Sequence, residues 1–441
     1  MNDEDSSMSS SDLARSKKTQ NARHIRAMRK AFNVVRSRQR ANIHRIPDLE
    51  GRKRRLRQAR KHAVGNEAII NQAVENLRQN GIKVYTAAGR EEAVSLVIKE
   101  IGRNRVVVKS KSNLTKEIRL TTALEQKGVQ VVETDIGDRI IQLCREAPSH
   151  PTGPASHLTK HEIAKMLSDY YGQKVGPTAK GIVDFIRVRI AEHIESSMIG
   201  ITGANAIAAE EGSVLLLHNE GNIIQVAVRP GKHIIVAGID KIYQNIEEAI
   251  NMLKIQTFCA TGSLKTAFVN IISAPSQTAD IEKQLIPGVH GPSELCLILV
   301  DNHRRDIARS EYRDLLNCIG CGQCLLVCPA YGVYGQRFSA DGHLGGRGLV
   351  YSALSERPGI DPGKEIDLCL SCRKCRQNCP LDIDIPSMII KLRLEKHNRL
   401  REPRLAATYD FLRAHMEWIG SALSLEMRLF GLKLSIREDI D

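Results

Sequence analysis

The chain has 441 residues, 42% of them hydrophobic and 26% charged, the balance of a soluble globular protein with room for two or three domains. Its net charge of +14 sits almost wholly in residues 1–64, which hold 18 Lys and Arg against 6 Asp and Glu. No run approaches the roughly 18 apolar residues of a membrane span, and the opening Met-Asn-Asp-Glu-Asp lacks the apolar core of a secretory signal, so a cytoplasmic protein is expected.

Residues 1–11, rich in Ser and acids, are expected to lack order. From Leu13 to Val64 the composition favours helix, with a break near Ile46-Pro47-Asp48 and the densest charge at Arg52, Lys53, Arg54, Arg55 and Arg57. Two readings stand: solvated helix faces, or a surface that steers an acidic partner subunit or an anionic membrane. Nucleic acid is not expected, because only Phe32 interrupts the run as an aromatic and no stacking platform forms.

From residue 66 helical and extended stretches alternate. Ala68–Gln79, Glu91–Gly102 and Leu114–Lys127 read as helices, and Ile82–Tyr85, Arg105–Val108 and Val129–Glu133 as strands, a succession that predicts a parallel sheet covered by helices. Ligands of such sheets sit at the carboxyl ends of strands. There, Lys109 and Lys111 either hold an anion or simply begin the next helix. No nucleotide-binding glycine motif is present.

A proline-rich loop follows at residues 147–158, then a capping box, Thr159 with Glu162, opening a helix to about Tyr171. His150, His157 and His161 lie close in sequence but without partners of metal-site spacing. A second helix is expected over Thr178–Ser196. Extended segments follow at Ala204–Ala209, Ser213–Leu217, Ile223–Val228 and His233–Gly238, with a hairpin turn at residues 219–222. Glu210 and Glu211 lie in a loop between strands, Glu210 being the candidate functional acid. A helix at Ile246–Leu253 and strands at Ala267–Ser273 and Glu294–Val300 complete the region. Cys144, Cys259 and Cys296 sit singly among apolar residues and read as buried and inert.

Residues 304–317 are expected to be helical and lead into two copies of C-x2-C-x2-C-x3-C-P: Cys318, Cys321, Cys324 and Cys328 before Pro329, and Cys369, Cys372, Cys375 and Cys379 before Pro380. Thiolates at this spacing hold cubane 4Fe-4S clusters, and in paired runs the fourth cysteine serves the other cluster. Cys318, Cys321, Cys324 and Cys379 are therefore assigned to one cluster, and Cys369, Cys372, Cys375 and Cys328 to the second. Structural zinc favours two separated ligand pairs, and disulfides do not suit a reducing interior. Between the runs, Gly342, Gly345, Gly346 and Gly348 mark a loop and Leu349–Leu354 a short helix. Pro386–His397 continues as helix. In the tail, Leu405, Tyr409, Leu412, Met416 and Ile419 form one helical face, for packing or for docking a partner.

The stretches VVKSKSNLTKEI (107–118), ETDIGDRIIQL (133–143), APSHPTGPASH (147–157), GITGANAIAAEEGSVLLLHNEGN (200–222) and GPSELCLILVDN (291–302), with the two cysteine runs, resemble the iron-sulfur subunit family of the lactate-utilization complex. The resemblance covers most of residues 20–395. It implies an α/β LUD domain of the NagB/RpiA/CoA-transferase-like type with N-terminal basic helices, followed by an all-α ferredoxin-like dicluster domain. The boundaries expected are 1–64 for the basic segment, 65–302 for the LUD domain, 303–398 for the dicluster domain and 399–441 for a helical tail. It also implies an electron-transfer role in oxidising L-lactate to pyruvate, with a cysteine-rich redox subunit, a second LUD-domain protein and a one-electron carrier as partners. Lys109, Lys111 and Glu210 are the candidate ligand contacts. No residue is a convincing hydride acceptor or proton abstractor, so no catalytic residue is assigned and activity is expected only with partner subunits. The competing readings are a dicluster subunit for glycolate or a thiol-disulfide couple, and an iron-sulfur sensor that binds nucleic acid through residues 13–64.

Overall fold

The computed structural model describes residues 10–355 and 363–400. The chain divides into two compact units, residues 1–389 and 390–441. Of the second, only the end of the last helix is described, and the apolar stripe expected from Leu405 to Ile419 lies outside the described residues.

The basic segment forms two helices, α1 (Ser10–Asn42) and α2 (Leu49–Ala63). Pro47 lacks the N–H a continuing helix needs, and Asp48 restarts the chain by accepting from the Gly51 amide at 3.1 Å. The helices are more than solvated rods. Met28 and Phe32 of α1 and Leu56, Ala59 and Ala63 of α2 are buried.

After α3 (Glu67–Gln79) the chain enters a six-stranded, wholly parallel sheet. Its first half is β1 (Lys83–Ala87), α4 (Arg90–Ile101), β2 (Val106–Lys109), α5 (Asn113–Glu117), α6 (Leu120–Gln126) and β3 (Gln130–Glu133). The single helix expected over Leu114–Lys127 is two, because Arg119 adopts a left-handed conformation (φ 52°) that breaks the ladder. Next come α7 (Ile136–Cys144), α8 (Lys160–Tyr171) and α9 (Ala179–Ser196). The expected capping box at the start of α8 is present.

The second half supplies β4 (Ile199–Thr202), β5 (Ala206–Ala208), β6 (Ser213–His218), α10 (Asn222–Val228), β7 (Lys232–Gly238), β8 (Ile242–Tyr243), α11 (Ile246–Thr261), β9 (Phe268–Ile272), a short antiparallel pair β10 (Gln277–Thr278) and β11 (Ile286–Pro287), and β12 (Glu294–Val300). The main sheet runs β1-β12-β7-β4-β2-β3, and β8-β5-β6-β9 form a smaller sheet. The hairpin expected at residues 219–222 does not form. Gly221 (φ 78°) instead caps α10, whose Val226 carbonyl would lie 2.0 Å from a Cβ on Gly200 of β4.

Strand residues alternate between two cores. Leu295, Leu297 and Leu299 of β12 face Ile70, Leu77 and Leu216, whereas Cys296, Ile298 and Val300 face Val97, Ile118 and Leu124. With both faces covered, β12 reads as one continuous apolar run. Truncating fully buried Leu297 to Ala costs about 2–5 kcal/mol.

The chain then forms α12 (Arg304–Arg309) and a 3-10 turn at Arg313–Asn317, not the single helix expected over 304–317. The cysteine region adds α13 (Gln323–Leu326), α14 (Pro329–Tyr334), α15 (Gly345–Ser355), α16 (Lys374–Gln377) and α17 (Ile385–Leu400). The expected glycine loop is helical from Gly345, since Gly346 and Gly348 allow the helix to pack closely on Ile385, Ile389 and His343.

Candidate iron-sulfur centre

The two cysteine runs adopt the same local path. Each begins after a 3-10 turn, passes two left-handed residues, forms one helical turn and ends at a cysteine followed by proline. The left-handed positions are Gly320 and Gly322 (φ 70° and 74°) in the first run but Ser371 and Arg373 (φ 51° and 57°) in the second. The difference follows from packing. A Cβ on Gly322 would lie 2.3 Å from the His150 ring, whereas Arg373 is exposed. The first loop is pressed against the α/β domain, and the second opens towards solvent with Cys372 exposed and Leu370 66% exposed.

The fold gathers the eight thiols into two adjoining groups. Cys379 interacts with Cys321 and Cys318, and Cys324 with Cys318, Cys321 and Cys379, and also with Cys375 where the two groups adjoin. Cys328 interacts with Cys369 and Cys372, and Cys375 with Cys328, Cys369 and Cys372. Burial, with the neighbouring sulfurs adding to it, pushes Cys375 and Cys379 up to about 12. A cationic iron core removes that penalty, because thiolates are the form that binds metal. The donor set therefore fits two 4Fe-4S clusters, which the chain's dicluster domain holds. Backbone amides also reach the sulfurs: Gly320 donates to Cys318 Sγ and Tyr331 to Cys328 Sγ, each at 3.4 Å.

Cys259 of α11 is buried, as expected, but its setting is not purely apolar. Its thiol adjoins that of Cys321 and is the largest cause of that group's raised pKa, ahead of burial. Gln39 of α1 donates to the Cys259 carbonyl at 2.7 Å and to Gln323 Oε1 at 2.5 Å, so α1, α11 and the first cysteine loop meet there. Cys296 is also buried and is pushed up to about 12, chiefly by burial. Cys144 is half-buried.

Further bonds join the cysteine region to the α/β domain and to α2. Tyr331 donates to the Ser149 carbonyl at 2.6 Å, His150 Nε2 lies 3.3 Å from the Gly322 carbonyl, and buried Arg60 of α2 donates to the Leu316 carbonyl at 2.6 Å. Arg57 reaches the Pro380 carbonyl at 3.1 Å. Glu117 of α5 accepts from both Arg304 nitrogens at 2.9 Å, from Asn302 at 2.7 Å and from Tyr351 of α15 at 2.9 Å. Burial opposes charge on Glu117, yet Arg304 holds its carboxyl below the usual range. Arg347 is placed with its guanidinium 4.6 Å from the Tyr351 ring centroid. Burial opposes its charge, and Cys318 is the foremost favourable neighbour. Sequence reasoning missed Glu117, Arg304 and Arg347; the available signal was a charged residue beside apolar positions of a short helix.

The three candidate ligand contacts do not form one site. Lys109 is fully buried and engaged by Glu133 at 2.8 Å and by the Ser110 carbonyl at 3.2 Å. Lys111 is part-buried, bonding Asp135 at 2.6 Å and the Thr152 carbonyl at 3.3 Å. Burial opposes its charge, but Asp135 and Asp138 outweigh that and raise its pKa. Glu210 is exposed, accepts from Gln244 at 2.9 Å, and shares no partner with either lysine. Nor do the three loop histidines converge: His150 turns to Gly322, His157 to Glu146, and His161 is exposed.

Comparison with known proteins agrees with this architecture. Residues 70–300 match the LUD domain and residues 314–383 the 4Fe-4S dicluster domain. The chain is 34% identical over 374 residues to the electron transport protein YkgF of Escherichia coli, covering 83% of this chain and 77% of that one. It is 33% identical over 350 residues to lactate utilization protein B of Bacillus cytotoxicus, covering 78% and 72%. A solved DUF162 family protein from Deinococcus radiodurans aligns over 53% of this chain and 97% of its own, with 16% identity and a TM-score of 0.30. No helix among the described residues is long and apolar enough to cross a membrane. The chain belongs to the LUD family and joins a LUD domain to a 4Fe-4S dicluster domain, an iron-sulfur electron-transfer protein similar to YkgF and to lactate utilization protein B.

Proposed function

We propose that this chain is the electron-transfer subunit of a complex that oxidises L-lactate to pyruvate. The observation that carries the reading is the likeness to lactate utilization protein B over 78% of the chain, combined with thiols that run from the α/β domain to the surface. In this reading Cys318, Cys321, Cys324 and Cys379 hold the inner cluster, and Cys369, Cys372, Cys375 and Cys328 the outer one. Bound 4Fe-4S clusters accept and release single electrons, which couples a two-electron oxidation to a one-electron carrier.

The chain's own residues seat and insulate that relay. Buried Cys321 and the His150–Gly322 contact keep water from the inner thiols, and Arg347 sets a positive charge beside Cys318. Exposed Leu370, Arg373 and Lys374 around Cys372 offer one apolar and two basic side chains where a partner can approach the outer cluster. The partners in this reading are a cysteine-rich redox subunit, a second LUD-domain protein and a one-electron carrier.

The test is to isolate the native complex without oxygen, add L-lactate, and follow the visible absorption of the clusters. Bleaching with pyruvate formed supports the reading. A complex that dithionite bleaches but L-lactate does not overturns it and favours another donor, to be sought among D-lactate, glycolate and thiols.

A further inference from the structure

A second group of metal-binding side chains lies apart from the cysteines, where α1 meets the loop between α7 and α8. His24 lies one and two helical turns before Met28 and Phe32, which are buried, so the same face of α1 turns its imidazole inward. Across from it, His157 is only 4% exposed, its ring in edge contact with that of His24 at a centroid distance of 5.2 Å. Glu146 follows the left-handed Arg145 that ends α7, and its Oε2 lies 2.7 Å from His157 Nε2. One ligand atom from each of His24, Glu146 and His157 lies within 4.8 Å of the other two.

Glu162 stands at the edge of the group. Its Oε2 is committed to the capping box with Thr159, and its Oε1 lies 3.4 Å from His24 Nε2. The Arg23 guanidinium is 3.9 Å from the same oxygen, half-exposed, and is the cation that competes for it.

The hydrogen bonds within the group are incomplete. His24 Nε2 and His157 Nδ1 are both buried and neither makes a hydrogen bond of ordinary geometry. A neutral His157 with its proton on Nδ1 turns a lone pair onto the Glu146 carboxylate; with its proton on Nε2 it leaves a buried nitrogen unpaired.

We propose that His24, Glu146 and His157 bind a divalent zinc-type cation, with Glu162 Oε1 as a fourth donor, and that this site clamps α1 to the LUD domain. Two imidazoles and carboxylates suit zinc, whose bonds of about 2.0–2.2 Å draw the donors in by small side-chain rotations. Nε2 of each histidine faces the cation. Nδ1–H of His157 is then free to turn to the nearby Pro154 carbonyl. Four donors close the coordination shell, so the site is structural and leaves no position for substrate. Its consequence reaches the cysteines. Phe32 and Gln39, further along α1, touch Tyr331 and Gln323 of the first cysteine run, so fixing α1 at His24 fixes one wall of that run.

The test uses the cluster-loaded full chain, prepared without oxygen and with full iron content so that the cysteines are occupied. Metal analysis after equilibration with zinc and gel filtration is expected to give about one zinc per chain. His24→Gln and Glu146→Gln are each expected to weaken zinc binding at least tenfold with iron content unchanged, and the zinc-edge X-ray absorption spectrum is expected to hold nitrogen and oxygen neighbours without sulfur. Iron content reports folding of the variants. Zinc that stays in His24→Gln, a sulfur shell at the zinc edge, or no retained zinc in the parent chain would each overturn the proposal.

Discussion

Arg304 and Glu117 face each other across the seam between the sheet and the cysteine region, their two nitrogens and two oxygens paired at 2.9 Å with both side chains buried. Tyr351 and Asn302 complete the carboxylate's shell, and Asp240 takes the Arg304 Nε. Such a pair is costly to bury and more costly to break, since removing one member strands the other. Arg304→Met is expected to destabilise the cluster-loaded chain by about 3–5 kcal/mol in urea unfolding. Tyr351→Phe, which leaves the pair intact, is expected to cost about 1–3 kcal/mol.

The adjoining thiol groups make the crossed assignment of the fourth cysteines testable. Cys379→Ser is expected to disturb the inner cluster and Cys328→Ser the outer one, although each lies in the other run. Electron paramagnetic resonance of the reduced protein, referenced to Cys321→Ser and Cys372→Ser, reads the outcome. If Cys379→Ser resembled Cys372→Ser, the runs would be self-contained.

Arg347 keeps a part-buried guanidinium near Cys318. Reduction adds negative charge to a cluster, so the cation favours the reduced state. Arg347→Met is expected to lower the inner cluster's reduction potential with iron content retained, by about 59 mV for each tenfold change in the one-electron equilibrium. Redox titration followed by paramagnetic resonance measures it; an unchanged potential would count against an electrostatic role.

Gly322 and Arg373 occupy the same left-handed position in the two runs, and their substitution is expected to differ. Gly322→Ala forces a Cβ onto the His150 ring in strained backbone and is expected to cost about 1–3 kcal/mol with loss of iron from the inner site. Arg373→Gly relieves the strain at an exposed site and is expected to leave iron content unchanged. Iron and acid-labile sulfide assays on both variants check this.

His233 of β7 is fully buried, bonded to Thr202 at 2.8 Å, and burial holds its pKa down to about 3. The unfolded chain takes up a proton near pH 6.5 while the folded chain does not. Stability is therefore expected to be flat above that pH and to fall by roughly 1.4 kcal/mol per unit as pH drops from 6.5 towards 3. Urea unfolding at several pH values should give a steeper decline for the parent chain than for His233→Gln between pH 6.5 and 4.5, the other titrating groups being common to both.

What the sequence determined by itself was chemistry written in local spacing and pattern. Cysteines three residues apart before a proline specify cluster loops whatever surrounds them, helical stretches alternating with extended ones specify a parallel sheet covered by helices, and Thr159 with Glu162 specifies a helix start. Tertiary structure decided what depends on residues far apart in the chain. Ile223–Val228 has the composition of a strand, yet packing over Gly200 makes it a helix, because a short apolar run fits either form until a neighbour selects one. Lys109 has the look of a ligand contact at a strand end, but parallel register aligns it with Glu133 and buries both. His157 gains its significance from Glu146 and from His24, and no local pattern joins His24 to that loop. Pairing across strands and packing of a distant helix are cooperative consequences of the whole fold, and they set which charged groups remain available for binding.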